Sequence, residues 1–483
     1  LAWLAPACLI LGLAGRGVGE AGRVGFLAGL VAHSAVLHWI YVVTVSYGHA
    51  PPLVGVVAPV ALAAYIACFP ALFAAGYAAL SRRGLSGAFA AALLWTALDH
   101  LRSFALTGFP WATLGYAQHR NPALMGLASI TGVYGLSFVT VLLGAALARI
   151  VSERRLGRES LAALLTVVAL HGVGWLSAPA SDGEGGRVRV AVLQGNIDQG
   201  IKWSPAWAER TLVVYEDLTQ QAVARGASLV VWPETAVPGS VNTDAGLRGR
   251  LESLAEATGA TLVIGGVGLD GPDPRWRYYD SAFLVAPVRG IAERYDKAHL
   301  VPFGEYVPLR GLLGSALGAV ASGIAPADVS PGPGPRALAM APGGTPVTAG
   351  VPICYELLFP DLVRRFAADG AGMLLAITND AWYGRTGAPY QFLAITALRS
   401  AETGLWTARA ANTGVSAFID GRGRVSEQTP IFERGLLVAD VPFPQEQQEK
   451  TFYVRHGDVF AGACWIGVAG LGALAGLRRR AQR

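Results

Sequence analysis

The chain of 483 residues is 53% hydrophobic and only 15% charged, with a mean hydropathy of +0.42, whereas ordinary soluble domains carry about a quarter charged residues. That balance excludes a wholly water-soluble protein and places a large part of the chain in lipid. The net charge of +5 and pI near 9.1 would suit nucleic-acid binding, but membrane topology accounts for the basic surplus and no nucleic-acid partner is expected.

A hydrocarbon core of about 30 Å is crossed by roughly 20 apolar residues in a helix. Stretches of that kind lie at 24–45, 52–80, 87–106, 123–149, 159–178 and 458–477, predicting a transmembrane helical bundle over 1–180 and a closing transmembrane helix over 456–478. Residues 1–15 are apolar but half-length. The chain opens on Leu1 without a basic leader or a small-residue cleavage site, which reads as a truncated or processed start with an upstream span missing.

Cytoplasmic loops collect Lys and Arg. Arg16 and Arg23, then Arg82 and Arg83, then Arg154, Arg155 and Arg158, and finally Arg478, Arg479, Arg480 and Arg483 fall on one side when the spans are threaded in order. The intervening loops, Tyr47 to Pro52 and Thr107 to Asn121, hold only Arg120. Region 180–457 is therefore expected outside the cytoplasm. Asp99, His100 and Arg102 fall near the outer end of one span, either as phospholipid headgroup contacts or as snorkelling boundary residues.

From Arg187 onward, short β-rich runs alternate with amphipathic helices. The pattern predicts strands at Arg187–Gln194, Ser228–Trp232, Thr261–Val267, Val347–Ile353 and Met373–Ile377. Helices are predicted at Pro205–Arg225, Leu247–Thr258, from near Tyr355, and at Tyr390–Glu402, with a hairpin at Phe418–Val425 turning on Asp420-Gly421. This is one large α/β domain over 187–445. The run from Gly311 to Pro335, rich in Gly, Ala, Ser and Pro, reads as a long loop, either a flap that touches lipid through Leu312, Leu313, Leu317, Val320 and Ile324 or a mobile surface loop.

Cys354 ends the apolar run Val351-Pro352-Ile353, while Cys8, Cys68 and Cys464 lie in the membrane-type stretches. A cysteine at a strand-to-helix junction has its thiolate favoured by helix N-terminal amides. Glu234, after Trp232-Pro233, is a carboxylate at a strand end and a candidate general base. Lys297, in Tyr295-Asp296-Lys297-Ala298-His299, can set a fixed positive charge beside an oxyanion. Taken singly, a strand-end Glu or Lys is more often solvated or ion-paired, and a buried Cys is more often packing. The eight histidines are scattered without ligand spacing, so neither a metal nor a cofactor is expected.

Together these segments resemble a known family. Trp232-Pro233-Glu234, Tyr295-Asp296-Lys297, His299 to Pro308 (HLVPFGEYVP), Ile353-Cys354-Tyr355-Glu356 and Thr378 to Gly384 (TNDAWYG) are similar to the apolipoprotein N-acyltransferases, membrane enzymes of the nitrilase (carbon–nitrogen hydrolase) superfamily. Gln194-Gly195-Asn196 with Lys202-Trp203, Ala410 to Gly414 (AANTG) and Thr107 to Trp111 (TGFPW) extend the likeness. The resemblance implies an αββα sandwich for the catalytic domain, with Glu234 as base, Lys297 as oxyanion-stabilising cation and Cys354 as nucleophile. Glu305 matches a further acidic position, Tyr355 and Glu356 flank the nucleophile either as working residues or as scaffolding, and Trp203 matches a tryptophan on an active-site arm. Leu405-Trp406 stands where the family has a basic residue, and the family has one more span before the point where this chain begins.

The implied reaction is a ping-pong acyl transfer from a membrane phospholipid, through a thioacyl cysteine, to the α-amino group of an S-diacylglyceryl cysteine at the N-terminus of an apolipoprotein. The implied location is the bacterial inner membrane with the catalytic domain on the periplasmic side. Two other readings use the same features: a membrane-tethered nitrilase-type amidase that hydrolyses a small amide, and a transporter or receptor whose outer domain only binds.

Overall fold

The computed structural model describes residues 2–179, 185–200, 202, 204–272, 275–308, 328–444 and 449–481. Two compact units result, one of residues 1–41, 55–179 and 451–483 and the other of residues 42–54 and 180–450.

The first unit is helical: α1 (Leu4–Gly12), α2 (Val18–Val36), α3 (Pro52–Ser81), α4 (Ala88–Arg102), α5 (Pro122–Glu153) and α6 (Arg158–Ser177), with a closing helix at Val459–Ala481. Among the described residues, α3, α5, α6 and the closing helix are long and apolar enough to cross a membrane. The other two predicted spans come out differently. The stretch expected at 24–45 is shifted to α2, and Val42–Tyr47 is a separate π-helical turn. The stretch expected at 87–106 stops at Arg102, because Leu106 and Thr107 take positive φ ahead of Gly108-Phe109-Pro110, where a helix cannot continue. α4 is thus 15 residues, roughly 22 Å at 1.5 Å per residue.

α5 sits at the centre of this unit, with 83% of its most apolar window buried. Asn121 caps it by accepting from the Leu124 N–H. Asp99 and Arg102 are neither headgroup contacts nor snorkelling residues. Both are buried, with Arg102 donating to Asp99 (3.2 Å) and to Thr113 Oγ1 (3.0 Å), and Ser137 on α5 donating to Asp99 (2.8 Å). The group bolts α4 to α5 and satisfies polar atoms that apolar surroundings would otherwise penalise.

The second unit holds two six-stranded sheets. The first runs β12-β1-β2-β3-β4-β5 and the second β11-β10-β9-β8-β7-β6, where β1 is Gly186–Gln194, β2 Leu229–Val231, β3 Thr261–Asp270, β4 Arg277–Ala286, β5 Gly290–Asp296, β6 Leu338–Met340, β7 Val347–Gly350, β8 Met373–Thr378, β9 Thr407–Ala411, β10 Ala417–Ile419, β11 Val425–Gln428 and β12 Gly435–Phe443. β1, β2 and β3 are parallel, as are β7, β8 and β9. Helices α7 (Pro205–Ala224) and α8 (Ala245–Thr258) cover the first sheet, and α9 (Pro360–Ala368) and α10 (Ala388–Thr403) belong to the second. This is a nitrilase-like αββα sandwich, whose central strands β2, β8 and β9 are fully buried and so read as continuous apolar runs, while the edge strand β11 is exposed.

Local chemistry sets the elements. Asp244 caps α8 by accepting from the Leu247 N–H at 3.0 Å, and Gly259 ends that helix at φ 67°, the left-handed stop that glycine favours. Trp232 is fully buried, stacks on Tyr215 with 5.0 Å between ring centroids and donates to Thr219 (3.0 Å). β4, β5 and β6 carry no clear apolar alternation and the pattern does not predict them. The expected hairpin at 418–425 exists as β10 and β11, but its turn is a five-residue loop, residues 420–424, closed by Asp420 accepting from the N–H groups of Arg422 and Arg424. Of the predicted loop at 311–335, residues 311–327 lie outside the described residues.

Candidate active site

The parallel strands of both sheets end in the segments that carry the conserved-looking motifs of this chain, and four side chains singled out by sequence converge there. Glu234 lies three residues beyond β2, Lys297 directly after β5, and Cys354 four residues beyond β7. Glu305 comes from a tight loop in which the Glu305 N–H donates to the Val301 carbonyl (2.9 Å) and the Val301 N–H returns to Glu305 Oε2 (2.8 Å).

Lys297 is the hub. Its Nζ donates to Glu305 Oε1 at 2.5 Å, to Glu234 Oε1 at 3.0 Å and to Asp280 Oδ2 at 3.2 Å, with the lysine itself 1% exposed. Burial alone would lower the lysine pKa, but the charges of Glu234, Glu305 and Asp280 outweigh it and hold the ammonium well above its ordinary range. Glu234 accepts from Lys297 on one oxygen and from the Asn379 N–H (2.7 Å) on the other. Its charge also bears on the Cys354 thiol. Burial raises Glu234, yet the Lys297 charge and these donors leave its carboxyl below the usual range, so the group is an anion at neutral pH.

Cys354 does not sit where the pattern predicts. β7 ends at Gly350, since Pro352 lacks a ladder donor, and Cys354 opens a five-residue 3-10 turn, Cys354–Leu358, before α9 begins at Pro360. Its φ is +47°, a left-handed conformation that costs a non-glycine residue about 1–3 kcal/mol and clusters at functional sites. Thr235, next to Glu234, is held at φ +44°. The thiol is not a pre-formed thiolate. Burial, then the negative charge of Glu234, push it well above its ordinary pKa, and Lys297 offsets only part. A neutral thiol under the influence of a carboxylate needs that carboxylate to take its proton at the moment of attack.

Glu356 is fully buried and faces away from this chemistry. It accepts from Tyr295 OH (2.7 Å), from the N–H groups of Ala298 (2.7 Å) and His299 (3.3 Å), and from the Ile353 N–H (2.8 Å). It thereby ties the segment after Lys297 to the residue before Cys354, and burial pushes it up to about 7. Tyr355 packs edge-on against Phe359, with 5.2 Å between centroids, and beside His299. Trp203 lies outside the described residues.

Sequence reasoning missed several participants. Asp280, on β4, reaches Lys297 because the Lys297 N–H donates to the Asp280 carbonyl at 2.9 Å; an acid within a buried stretch of strand was the available signal. Lys202 is 1% exposed and donates to Thr235 Oγ1 (2.9 Å), with burial lowering it to about 8. Asn379 and Asn412 clasp each other (3.2 Å), Asn412 also bonds the backbone of Ile197 in both directions, and Asn379 donates to Gln199 (2.6 Å). These contacts join the ends of β1, β8 and β9. The motifs they come from hold the two sheets together around the site. Gly265 on β3 lets Glu234 lie close, since a Cβ there would stand 2.3 Å from the Pro233 carbonyl and 2.7 Å from Glu234 Cα.

The chain is similar to known proteins along nearly its whole length. Residues 1–146 match the apolipoprotein N-acyltransferase N-terminal domain family, and residues 189–450 match the carbon-nitrogen hydrolase family. The apolipoprotein N-acyltransferase of Geobacter metallireducens is 39% identical over 490 residues, covering 99% of this chain and 91% of that protein. The enzyme of the same name from Azotobacter vinelandii is 36% identical over 500 residues, covering 100% and 92%. Among solved structures, an amidase from Nesterenkonia sp. is 23% identical with a TM-score of 0.42, over 59% of this chain and 99% of that one. With identity of this order sustained from end to end, the chain belongs to the apolipoprotein N-acyltransferase family.

Proposed function

We propose that this protein transfers a fatty acyl chain from a membrane phospholipid to the α-amino group of the N-terminal S-diacylglyceryl cysteine of apolipoproteins, through a thioacyl intermediate on Cys354. The observation that carries the reading is Glu234, a buried carboxylate that accepts from Lys297 Nζ at 3.0 Å and whose charge bears on the neutral Cys354 thiol. Glu234 takes the thiol proton as sulfur attacks the ester carbonyl, and Lys297 balances the oxyanion. The lysophospholipid leaves with that proton. In the second half-reaction the amine attacks the thioester, Glu234 receives the amine proton, and the thiol regains it as the amide forms.

Both proposed substrates are lipid-anchored, which fits a chain whose helices α3, α5, α6 and Val459–Ala481 are long and apolar enough to cross a membrane. With the shorter α4 crossing as a fifth helix, Arg82 and Arg83, Arg154 and Arg155, and Arg478 to Arg480 fall at the same end of alternate spans, which supports a catalytic unit outside the cytoplasm, on the periplasmic face of a bacterial inner membrane.

The test is mass spectrometry of the detergent-solubilised full chain after incubation with phosphatidylethanolamine. An acyl adduct on Cys354 is expected, discharged by a diacylglyceryl-cysteinyl peptide and absent from Cys354→Ala. Absence of the adduct, with ammonia released from simple amides, overturns the transferase reading in favour of an amidase.

A further inference from the structure

The charge balance around Lys297 assigns a role to Asp280, and the inference rests on Glu234 being the base. Glu234, Asp280 and Glu305 each present a carboxylate oxygen within 4.8 Å of the other two, and all three surround the ammonium of Lys297. Lys202, the other buried cation nearby, is bonded to Thr235 instead. Three anions against these cations leave at least one buried charge uncompensated, which costs several kcal/mol. A proton retained on one carboxyl removes that cost.

The donors show which carboxyl keeps it. Glu305 accepts from Lys297 on Oε1 and from the Val301 N–H on Oε2. Glu234 accepts from Lys297 on Oε1 and from the Asn379 N–H on Oε2. Asp280 receives only the longest of the three lysine contacts, 3.2 Å, and its Oδ1 is buried with no donor directed at it. Asp280 and Glu234 nevertheless bring carboxylate oxygens within 4.8 Å of each other, and two buried carboxyls that close favour a proton on one of them.

We propose that Asp280 is a neutral carboxylic acid that keeps its proton through the cycle and donates it in a hydrogen bond to Glu234, so that it is a positioning residue setting the basicity of the base. Burial pushes Asp280 well above the usual carboxylate range, with Lys297 offsetting only part of the effect, which is the direction the donors require. The groups facing Asp280 are Glu234 beyond β2, Lys297 beyond β5, Glu305 from its loop and Lys202 ahead of α7. The proton that leaves the Cys354 sulfur therefore goes to Glu234, the ionised carboxyl whose charge acts most strongly on the thiol.

Asparagine mimics a protonated aspartate here, with its amide N–H₂ donating to Glu234 and its carbonyl accepting from Lys297. The experiment compares Asp280→Asn, Asp280→Leu and Glu305→Gln in the full chain, by infrared spectroscopy at neutral pH and by the pH profile of acyl transfer from phosphatidylethanolamine. Over the band that the partly protonated Glu356 contributes, a protonated-carboxyl C=O band is expected in the difference spectrum of unaltered protein minus Asp280→Asn and absent from that of unaltered protein minus Glu305→Gln. Asp280→Leu should lose about tenfold or more in kcat/KM, the scale of one hydrogen bond to a charged group, and its acid limb should move to higher pH because Glu234 becomes more basic. Asp280→Asn should recover most of that loss and restore the limb. The proposal is overturned if the Asp280→Asn difference spectrum lacks that band, or if Asp280→Asn is as impaired as Asp280→Leu. Should the unaltered protein form no acyl adduct, the transferase reading fails, while the infrared band still reports on Asp280.

Discussion

Two buried charge clusters in the sandwich unit differ in how they are balanced. Arg409 and Asp380 are both 0% exposed and pair one to one at 2.8 Å; Arg409 is further held by the Val415 carbonyl (3.0 Å) and Thr396 Oγ1 (2.9 Å). Lys297, by contrast, faces three carboxylates and lies beside a cysteine held at positive φ. A matched pair has nothing left to give and serves as a strut. An unequal cluster has to settle which carboxyl keeps a proton, and groups perturbed in that way are typical of a site that takes up and returns protons. Arg399 with Glu402, paired at 2.9 Å and likewise buried, falls on the strut side of this division.

The sharpest way to break the comparison is to remove the hub. Lys297→Met takes away the positive charge facing the developing oxyanion and should lower the rate of acyl-adduct formation by about a hundred- to a thousandfold, the scale of losing one preorganised stabilising group. Glu234 and Glu305 can compensate by taking up protons, so the folded population should survive, and rapid-quench measurement of the adduct on intact protein separates the two effects. If adduct formation is unchanged in the folded fraction, Lys297 is a strut like Arg409.

Removing the strut should do the opposite. Arg409→Met strands Asp380 without a partner and should cost about 3–5 kcal/mol of stability, as breaking one side of a buried pair does. Arg409→Met combined with Asp380→Asn should recover more than half of it, because the uncompensated charge is gone. Thermal melting of the detergent-solubilised protein reads both. A large loss of adduct formation in the double variant at unchanged melting temperature would place this pair among the working residues and erase the distinction.

How far the site could be read from sequence follows from how each residue is delivered. Glu234, Lys297 and Cys354 stand at the ends of segments whose composition marks them, and a strand end in an α/β sheet is where side chains gather. Asp280 is delivered by register: antiparallel pairing sets Ser281 against Asp296, and no spacing rule shows that in advance. The helix predicted from Tyr355 was misplaced because apolar Leu357 and Leu358 continue a helical pattern through a 3-10 turn, while the true start is fixed by Pro360 at the first helical position. The span predicted at 87–106 ran too long for a related reason. Hydropathy registers Phe104 and Leu106 as apolar but is blind to the turn that Gly108 and Pro110 impose.

Lys202 offers the mildest test, because it belongs to neither cluster and yet acts on one. Its ammonium is bonded to Thr235, the residue adjoining Glu234, and burial lowers its pKa to about 8, with Glu234 and Asp280 offsetting part of the shift. The sign follows from that direction. Below about 8 the group is a cation that helps hold Glu234 ionised and eases the build-up of negative charge at Cys354; above it the charge is gone while Lys297, raised rather than lowered, still carries its own. The pH profile of adduct formation should therefore show a step down near pH 8. A unit charge acting over several ångströms at an effective dielectric near 20 contributes about 1–2 kcal/mol, so the step should be roughly five- to thirtyfold. Lys202→Met should remove the step and run throughout at the high-pH level of the unaltered protein. A step that survives in Lys202→Met would belong to another group, such as Glu356 at about 7, and would remove Lys202 from the account of this pH dependence.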